Sequence, residues 1–300
     1  MKTMQLVYSP DEDGNVKLKK KLQRIMPTQI QDIIATTILL LILPIGFAIH
    51  YLYVLPTWYP VMGEAWVIRA VAIGLGIFNV YSNWFFMVKT GPNGKHSMLP
   101  NVVKPGFKHC HSCHSMSPPR AHHCPVCDVC VLRRDHHCSF GGVCVGHFNQ
   151  RYFVAAVINL FLLTVPLVSY AWSLLNLKLA GGVSVGNIWQ VMLPHLAWTF
   201  GFISFSQFAH VLLFVFTFTT SLFAFYLVTA QVFCLFKGQT RIEFLMEVHA
   251  YQLGFVENLR QALGSRWPFI AISCFIPSPL PTDGLSFVTR EMFNLHTKDL

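Results

Sequence analysis

The stretch Arg133–Cys144 reads RRDHHCSFGGVC and places an acid, two histidines and a cysteine side by side. Cysteine thiolates and histidine rings are common zinc ligands. A cysteine beside a histidine and an acid can also act as an activated nucleophile. The four adjacent residues Asp135, His136, His137 and Cys138 are therefore candidates for a metal site, a catalytic centre, or both.

Seven of the nine cysteines of the chain lie between Cys110 and Cys144. The C-x2-C spacing occurs three times in this cluster, beginning at Cys110, Cys124 and Cys127. It is typical of zinc knuckles, in which a tight turn brings two thiolates to one tetrahedral ion. In a secreted protein the same cysteines would form disulfides, and buried free cysteines are a third interpretation. The compartment therefore has to be inferred.

Counting ligands separates the cysteines. Two tetrahedral zinc sites need eight ligands, which seven cysteines cannot supply, whereas six cysteines and two histidines would form two Cys3His sites and leave one thiol free. Cys138 is the candidate, because His136 could accept its proton and Asp135 could orient that histidine. Since neighbouring residues of a strand point to opposite sides, we expect a looped segment, fixed by His137 as a zinc ligand. The alternative is that all four residues belong to the metal shell.

The composition indicates an integral membrane protein. Hydrophobic residues make up 53% of the 300 residues, charged residues only 12%, and the mean hydropathy is +0.48, whereas soluble domains contain about 25% charged residues. A net charge of +9 is compatible with contact with nucleic acid or with an anionic membrane face. The sequence contains no contiguous basic groove with interleaved aromatic residues, so we expect no nucleic-acid partner.

Four apolar runs approach or exceed the roughly 20 residues needed to cross a bilayer. They are Ile33–Leu55, Ala70–Val88, Tyr152–Leu177 and His210–Val232. Lys and Arg are abundant before the first run, between the second and third, and after the fourth. Because cytoplasmic loops carry the excess of positive charge, we expect both termini and the cysteine cluster in the cytosol. A reducing compartment favours zinc over disulfides.

The predicted fold is an α-helical integral membrane protein with four transmembrane helices and a small cytosolic zinc-bound cysteine-rich domain of short β-hairpins between helices 2 and 3. The predicted segments are a cytosolic N-terminal tail (1–32), helices 1 and 2 (33–88), the cysteine-rich domain (89–151), helices 3 and 4 with a luminal loop (152–236), and a cytosolic C-terminal region (237–300). No internal repeat is predicted.

The motifs of the cluster resemble those of the DHHC protein S-acyltransferases, the protein palmitoyltransferases. These are four-span membrane enzymes with a cytosolic cysteine-rich domain between spans two and three. The similarity runs without a gap from Cys110 to Phe153. It includes RAHHC at 120–124, DHHC at 135–138 and Asn149-x3-Phe153.

The resemblance implies two interleaved structural zinc sites. The first would be held by Cys110, Cys113, His123 and Cys130, and the second by Cys124, Cys127, His137 and Cys144. It further implies Cys138 as the nucleophile, His136 as the base and Asp135 as the residue that orients the base. The implied reaction transfers a long-chain acyl group, such as palmitate, from acyl-CoA to the enzyme and then to a cytosol-facing cysteine of a protein substrate.

Basic residues near the cluster are candidates to bind the phosphates of CoA. Arg133 and Arg134 are the first of these, with Lys95 and Lys104 as further candidates. The expected location is an endomembrane, Golgi or ER, and the sequence leaves open whether an accessory subunit is needed.

The chain departs from the family pattern at several positions. Gly91-Pro92-Asn93 replaces Asp-Pro-Gly, Ser139-Phe140 replaces Pro-Trp, and Arg241 replaces the second threonine of Thr-Thr-x-Glu. An Arg241 near the active site could pair with Asp135. These departures motivate a second hypothesis, a catalytically weak zinc scaffold or adaptor of the same fold. A membrane-anchored ubiquitin ligase ranks last, because the ligand spacing of a RING is absent.

Overall fold

The computed structural model of the chain describes residues 27, 29–94, 104–179 and 181–298. Of residues 296–298 it describes the backbone only. Most of the predicted N-terminal tail, and Lys95, lie outside the described residues. The helices in chain order are α1 (Ile30–Trp58), α2 (Glu64–Thr90), α3 (Gln150–Lys178), α4 (Ile188–Met192), α5 (Pro194–Thr199), α6 (Phe205–Lys237), α7 (Arg241–Leu245), α8 (Phe255–Leu263) and α9 (Arg290–Lys298).

Four helices among the described residues, α1, α2, α3 and α6, are long and apolar enough to cross a membrane. Such runs form helices in lipid because a helix satisfies its backbone hydrogen bonds within itself. Leu52 and Leu162 illustrate their uncovered apolar surface, being 72% and 62% exposed. Each predicted span lies inside one of these helices, and the predicted fold class of four transmembrane helices is confirmed.

Among the described residues between α2 and α3, the chain forms three short antiparallel hairpins. Their strands are β1 (Lys108–Cys110) with β2 (Ser115–Ser117), β3 (His122–Cys124) with β4 (Val129–Val131), and β5 (His136–Cys138) with β6 (Val143–Val145). Each hairpin begins 14 residues after the one before it. The chain therefore contains a short internal repeat, and the prediction that it has none is wrong. The repeat is hard to recognise in the sequence because only the second and third hairpins share the segments HHC and VCV. The strands of the first hairpin read KHC and SMS.

The turns of the three hairpins repeat the same backbone geometry. His114, Asp128 and Gly142 occupy equivalent turn positions and have positive φ angles of 48°, 53° and 58°. A left-handed residue at this point folds the chain back sharply after the first strand. The geometry of a zinc knuckle is thus present in all three hairpins.

The chain forms two compact units. The hairpin unit comprises the described parts of Met1–Ile38, Ser82–Ala155 and Ala230–Leu300, and the helical unit comprises Leu39–Tyr81 and Ala156–Thr229. Close helix packing within the helical unit is seen at Gly76, where an added Cβ would lie 3.0 Å from Leu163 Cδ1. All the predicted site residues belong to the hairpin unit.

A buried ion pair joins the hairpins to the segment after α6. Arg120 Nε lies 2.6 Å from Glu243 Oε1, and both side chains are 3% exposed. Glu243 also caps α7 together with Thr240, in a reciprocal capping box. Although burial alone would raise the pKa of Glu243, the charge of Arg120 and its hydrogen bonds hold that pKa below its usual value. The pair therefore fixes the start of α7 against the hairpins.

Removing the acid of this pair should destabilise the protein strongly. Glu243→Ala leaves the Arg120 charge buried without its partner, which costs about 3–5 kcal/mol, and it also removes the cap of α7. Thermal unfolding in detergent should show a large fall in Tm. Glu257→Ala is the matched control, because Glu257 forms a solvent-facing pair with Arg260 at 3.8 Å and such pairs contribute about 1 kcal/mol or less. Equal falls in the two variants would contradict this assignment.

Candidate active site and metal centres

Two clusters of cysteine and histidine side chains converge in the hairpin unit. The first contains Cys110, Cys113, His123 and Cys130, and the second contains Cys124, Cys127, His137 and Cys144. These are the two predicted ligand sets. In each cluster the ligand atoms all lie within 4.8 Å of one another.

The hairpin register explains how each cluster is assembled. His123 faces Cys130 across the second hairpin, and His137 faces Cys144 across the third. Directly opposite residues have Cβ atoms about 4.5–5.5 Å apart, so both side chains can reach one ion. The other two ligands of each cluster come from the knuckle of the preceding hairpin. Each cluster therefore joins two successive hairpins.

The donor geometry fits zinc. For Zn–S bonds of about 2.3 Å, a tetrahedral ion places its sulfur ligands about 3.8 Å apart. The Sγ atoms of Cys113 and Cys130 are 3.6 Å apart, and those of Cys127 and Cys144 are 3.7 Å apart. His137 Nδ1 lies 3.3 Å from Cys127 Sγ. Two sets of three sulfurs and one nitrogen at these separations are suited to two zinc ions.

The repeat also shows why Cys138 is outside both clusters. It occupies the position that Cys110 and Cys124 hold in the first two hairpins, the first knuckle cysteine. The second knuckle position is Cys127 in the second hairpin but Gly141 in the third. The next segment of the chain is α3, which supplies no further cross-strand pair. Cys138 is thus a knuckle cysteine without a second knuckle cysteine, and a thiol left free.

The histidine of each Cys/His cluster has a carboxylate near its ring nitrogen Nε2. His137 Nε2 lies 3.0 Å from Asp32 Oδ2, and Asp32, near the start of α1, is 3% exposed. His123 Nε2 lies 3.9 Å from Asp128 Oδ1, whose side chain is 87% exposed. A carboxylate on the distal ring nitrogen of a zinc-bound histidine fixes its tautomer and ring orientation. Asp32 is suited to this role, which the sequence alone does not indicate.

The segment His136–Cys138 is a strand, so the expectation of a loop is wrong. Because strand side chains alternate, His136 and Cys138 share one face of β5, while His137 points to the second Cys/His cluster on the other face. Asp135 precedes the strand and accepts a hydrogen bond from His136 Nδ1 at 2.8 Å. The imidazole also interacts with the Cys138 side chain. Acid, histidine and thiol therefore converge without a loop.

The Asp135 carboxylate is fully buried and accepts hydrogen bonds on both oxygens. Oδ1 accepts from the backbone N–H of Arg241 at 2.8 Å, and Oδ2 accepts from Gln231 Nε2 at 2.8 Å as well as from His136. Burial alone would raise its pKa, but these donors hold the pKa below its usual value. The expected approach of Arg241 to Asp135 is thus made by the main chain, at the first residue of α7.

The ring of His136 is held between Asp135 and the aromatic ring of Phe153. The two ring centroids are 4.8 Å apart in an edge-to-face arrangement. Burial would lower the pKa of His136, but the hydrogen bond to Asp135 and the interaction with Cys138 raise it to about 9. This arrangement can transfer a proton between the histidine and the thiol.

Two membrane helices hold the loop that follows Cys138. Thr36 of α1 donates to the carbonyl of Ser139 at 3.2 Å, and Trp84 of α2 donates to the carbonyl of Phe140 at 2.9 Å. An added Cβ on Gly141 would lie 2.6 Å from Met87 Cε, so this position accepts only glycine without a shift. The helices bind backbone carbonyls here, so the side chains of Ser139 and Phe140 can differ from the family pattern.

The Gly91-Pro92-Asn93 departure also has a structural role. The Asn93 amide donates to the carbonyl of Cys130 at 2.9 Å and accepts from the N–H of Leu132 at 2.9 Å. It therefore ties the end of α2 to β4, which carries Cys130 of the first cluster. The sequence gives no sign of this contact, because Asn93 and Cys130 are far apart in the chain.

Arg133 does not face the solvent, although the sequence predicts it as a contact for the phosphates of CoA. It is 2% exposed, and its guanidinium donates to Gln150 Oε1. Arg134 is partly buried and donates to the carbonyl of His123 at 2.9 Å. Lys104 is exposed. Of these three candidates, Arg133 is buried, Arg134 is partly buried and Lys104 is exposed.

Comparison with known proteins relates the chain to a group of enzymes. A family model described as DHHC palmitoyltransferase matches residues 104–248. The protein named "Probable palmitoyltransferase ZDHHC24" from Homo sapiens is 33% identical over 252 residues, which cover 82% of this chain and 87% of the human protein. The Danio rerio protein of the same name is 34% identical over 214 residues, covering 70% and 71% of the two chains.

Metal analysis can test the assignment of Cys138 as the unligated knuckle cysteine. The purified wild-type protein should contain two zinc ions per chain, and Cys138→Ser should keep both. Cys124→Ser removes a ligand at the equivalent position of the preceding hairpin, so we expect it to lose at least one ion. Loss of zinc from Cys138→Ser, or one ion per wild-type chain, would contradict the assignment.

Release of zinc to a chelator can test the role of Asp32. Loss of a carboxylate partner of a zinc-bound histidine typically weakens metal binding about 10–100-fold, so Asp32→Ala should speed release of one of the two ions. Asp128→Ala is the matched control, because its exposed carboxylate lies 3.9 Å from His123. If both variants release zinc alike, or if Asp32→Ala loses both ions together, Asp32 has no specific role at the second site.

Proposed function

The chain belongs to the DHHC palmitoyltransferase family, and on this premise we propose that it transfers a long-chain acyl group from acyl-CoA, through a thioester on Cys138, to cysteines of substrate proteins. The family is one of membrane acyltransferases that act on proteins. The observation that carries the proposal is the position of Cys138. It is outside both metal clusters and lies on the same face of β5 as His136, which Asp135 orients.

In the first step, the Cys138 thiolate attacks the carbonyl carbon of the acyl-CoA thioester. His136 has taken the proton of the thiol, and the imidazolium is stabilised by Asp135 at 2.8 Å. The bond from the carbonyl carbon to the sulfur of CoA breaks as the new thioester forms. The proton on His136 goes to the departing CoA thiolate, so the histidine returns to its neutral form.

In the second step, a cysteine of the substrate protein attacks the acyl-enzyme. His136 accepts the proton of the attacking thiol, the acyl group passes to the substrate, and Cys138 leaves as a thiolate that takes the proton back. The same histidine therefore acts as base and acid in both half-reactions. The two half-reactions predict ping-pong kinetics.

The two ligand sets are proposed to hold structural zinc ions, each of four protein ligands and no open position. Bound zinc supplies cross-links between hairpins. The chain's own contribution is to fix β5: His137 binds on one face of the strand, and this sets the direction of Cys138 on the other. Thr36 and Trp84 then hold the loop beyond it.

The proposed orientation places residues 89–151 and both termini in the cytosol, where CoA thioesters and thiols of substrate proteins occur. Residues 1–32 and 237–300 would be the cytosolic termini, and 33–88 and 152–236 would carry the helix pairs, the second with a luminal loop. The proposed compartment is Golgi or ER. Arg134, partly buried at the hairpins, remains the proposed contact for CoA phosphates.

The alternative of a catalytically weak scaffold rested on departures from the family pattern. At Arg241 the contact to Asp135 comes from the backbone N–H, which any residue except proline provides. At Ser139 and Phe140 the helices bind carbonyl groups. The departures thus leave the acid, histidine and thiol in contact, and this supports the transferase proposal.

Acyl-enzyme formation tests the proposal directly. Purified protein incubated with labelled palmitoyl-CoA should acquire a label that hydroxylamine removes, because hydroxylamine cleaves thioesters. Cys138→Ser should abolish it, because the Cys138 side chain is the thiol that interacts with the His136 imidazole. Cys274→Ser, a buried cysteine of the C-terminal segment, is the matched control and should label like wild type. Equal labelling of wild type and Cys138→Ser, or no label on either, would refute the proposal.

A further inference from the structure

A row of buried polar side chains leads from Arg133 to the reaction centre. Arg133 Nη1 donates to Gln150 Oε1, Gln150 Nε2 donates to Gln231 Oε1 at 3.1 Å, and Gln231 Nε2 donates to Asp135 Oδ2 at 2.8 Å. We propose that Gln150 and Gln231 are positioning residues, whose amides carry the orientation imposed by Arg133 to the carboxylate that holds the catalytic histidine. This inference rests on the proposed function and adds two residues to its machinery.

The direction of the row follows from hydrogen-bond chemistry. A glutamine amide can present either its oxygen or its NH2 group to a neighbour, but arginine only donates. Because Arg133 donates, Gln150 must turn its oxygen toward it and its NH2 group toward Gln231. Gln231 must then accept with its oxygen and donate with its NH2 group. Asp135, an acceptor when ionised, therefore always receives a donor.

Burial makes this order strict. Arg133, Gln150, Gln231 and Asp135 are 2%, 0%, 6% and 0% exposed, so water is poorly placed to replace a missing partner. Burial lowers the pKa of Arg133 to about 10, which leaves it protonated and donor-only at neutral pH. If either amide were reversed, two acceptors or two donors would face each other, which is costly in a buried site.

The hydrogen bonds fix the orientation of the Asp135 carboxylate, on which the position of His136 depends. The Arg241 N–H holds Oδ1 of Asp135, and Gln231 holds Oδ2. With both oxygens held, the carboxylate cannot rotate away from His136 Nδ1. His136 is then kept with its other nitrogen free for Cys138. Without the Gln231 donor, one oxygen would keep only the hydrogen bond from His136 and could turn.

The first test removes the donor with little change in volume. We expect Gln231→Met to slow formation of the acyl-enzyme about tenfold, corresponding to one lost orienting hydrogen bond, while the KM for palmitoyl-CoA stays within about twofold and both zinc ions remain. Gln252→Met is the matched control. Gln252 donates to the carbonyl of Phe236, so its loss should affect stability but not the acylation rate. A wild-type rate in Gln231→Met, or equal slowing in both variants, would overturn the proposal.

The second test reverses the row without removing it. In Gln150→Glu the carboxylate beside Arg133 is ionised and acceptor-only, so Gln231 must turn its NH2 group toward it and its oxygen toward Asp135. Gln150→Met breaks the row but leaves Gln231 able to donate. The proposal expects Gln150→Glu to acylate more slowly than Gln150→Met. The opposite order, or equal rates, would mean that the amides serve packing alone.

A third measurement separates this inference from the proposed function. The rate at which iodoacetamide alkylates Cys138, followed by mass spectrometry of its peptide, reports the reactivity of the thiol without acyl-CoA. We expect Gln231→Met to lower this rate, and Gln252→Met to leave it unchanged. If wild type forms no acyl-enzyme but the alkylation rate still falls in Gln231→Met, the function fails and the inference stands. If the alkylation rate is unchanged in Gln231→Met, the inference fails.

Discussion

Each metal cluster takes its ligands from two successive hairpins, and the position of the reaction centre depends on this sharing. The strands are three residues long, too short for a hairpin to be stable by its own hydrogen bonds. Tetrahedral coordination of the proposed zinc ions would supply the missing constraint, because four ligands at fixed distances leave the two hairpins little freedom. His137 and Cys144 would hold the third hairpin in the same way. Cys138, which belongs to neither cluster, lies on the face of β5 opposite His137.

The buried charge of Asp135 is the second constraint. A carboxylate without water needs a hydrogen-bond donor for each oxygen, and those donors come from segments far apart in the chain. His136 is adjacent in sequence, Gln231 is a side chain of α6, and the backbone N–H of Arg241 lies at the start of α7. The ion pair of Arg120 with Glu243 holds the start of α7 in place. The Asp135 side chain therefore links the third hairpin, the end of α6 and the start of α7.

The helices also contribute to the reaction centre. α1 brings Asp32 to the second Cys/His cluster and Thr36 to the loop after Cys138, and α2 brings Trp84 to the same loop. These contacts fix the hairpins to the ends of helices that cross the membrane. The arrangement suits a substrate with a polar head and a long apolar chain, because each methylene kept out of water contributes about 0.8 kcal/mol.

The sequence by itself predicted the four helices, and its ligand count predicted two Cys3His sites with one thiol left over, whereas the ligands of each site were implied by the resemblance to the DHHC family. Ligand number and residue type limit how seven cysteines and their histidines can form tetrahedral sites, and the length of an apolar run limits where a helix can cross a membrane. Tertiary structure decided what surrounds these residues. Arg133 looks like a surface cation in sequence, but it is buried against Gln150. Asp32 and Gln231 are polar residues at helix ends, and only folding brings them to His137 and Asp135. Hydrogen-bond partners across 96 or 105 residues leave no local pattern, because they depend on where the helices end in space.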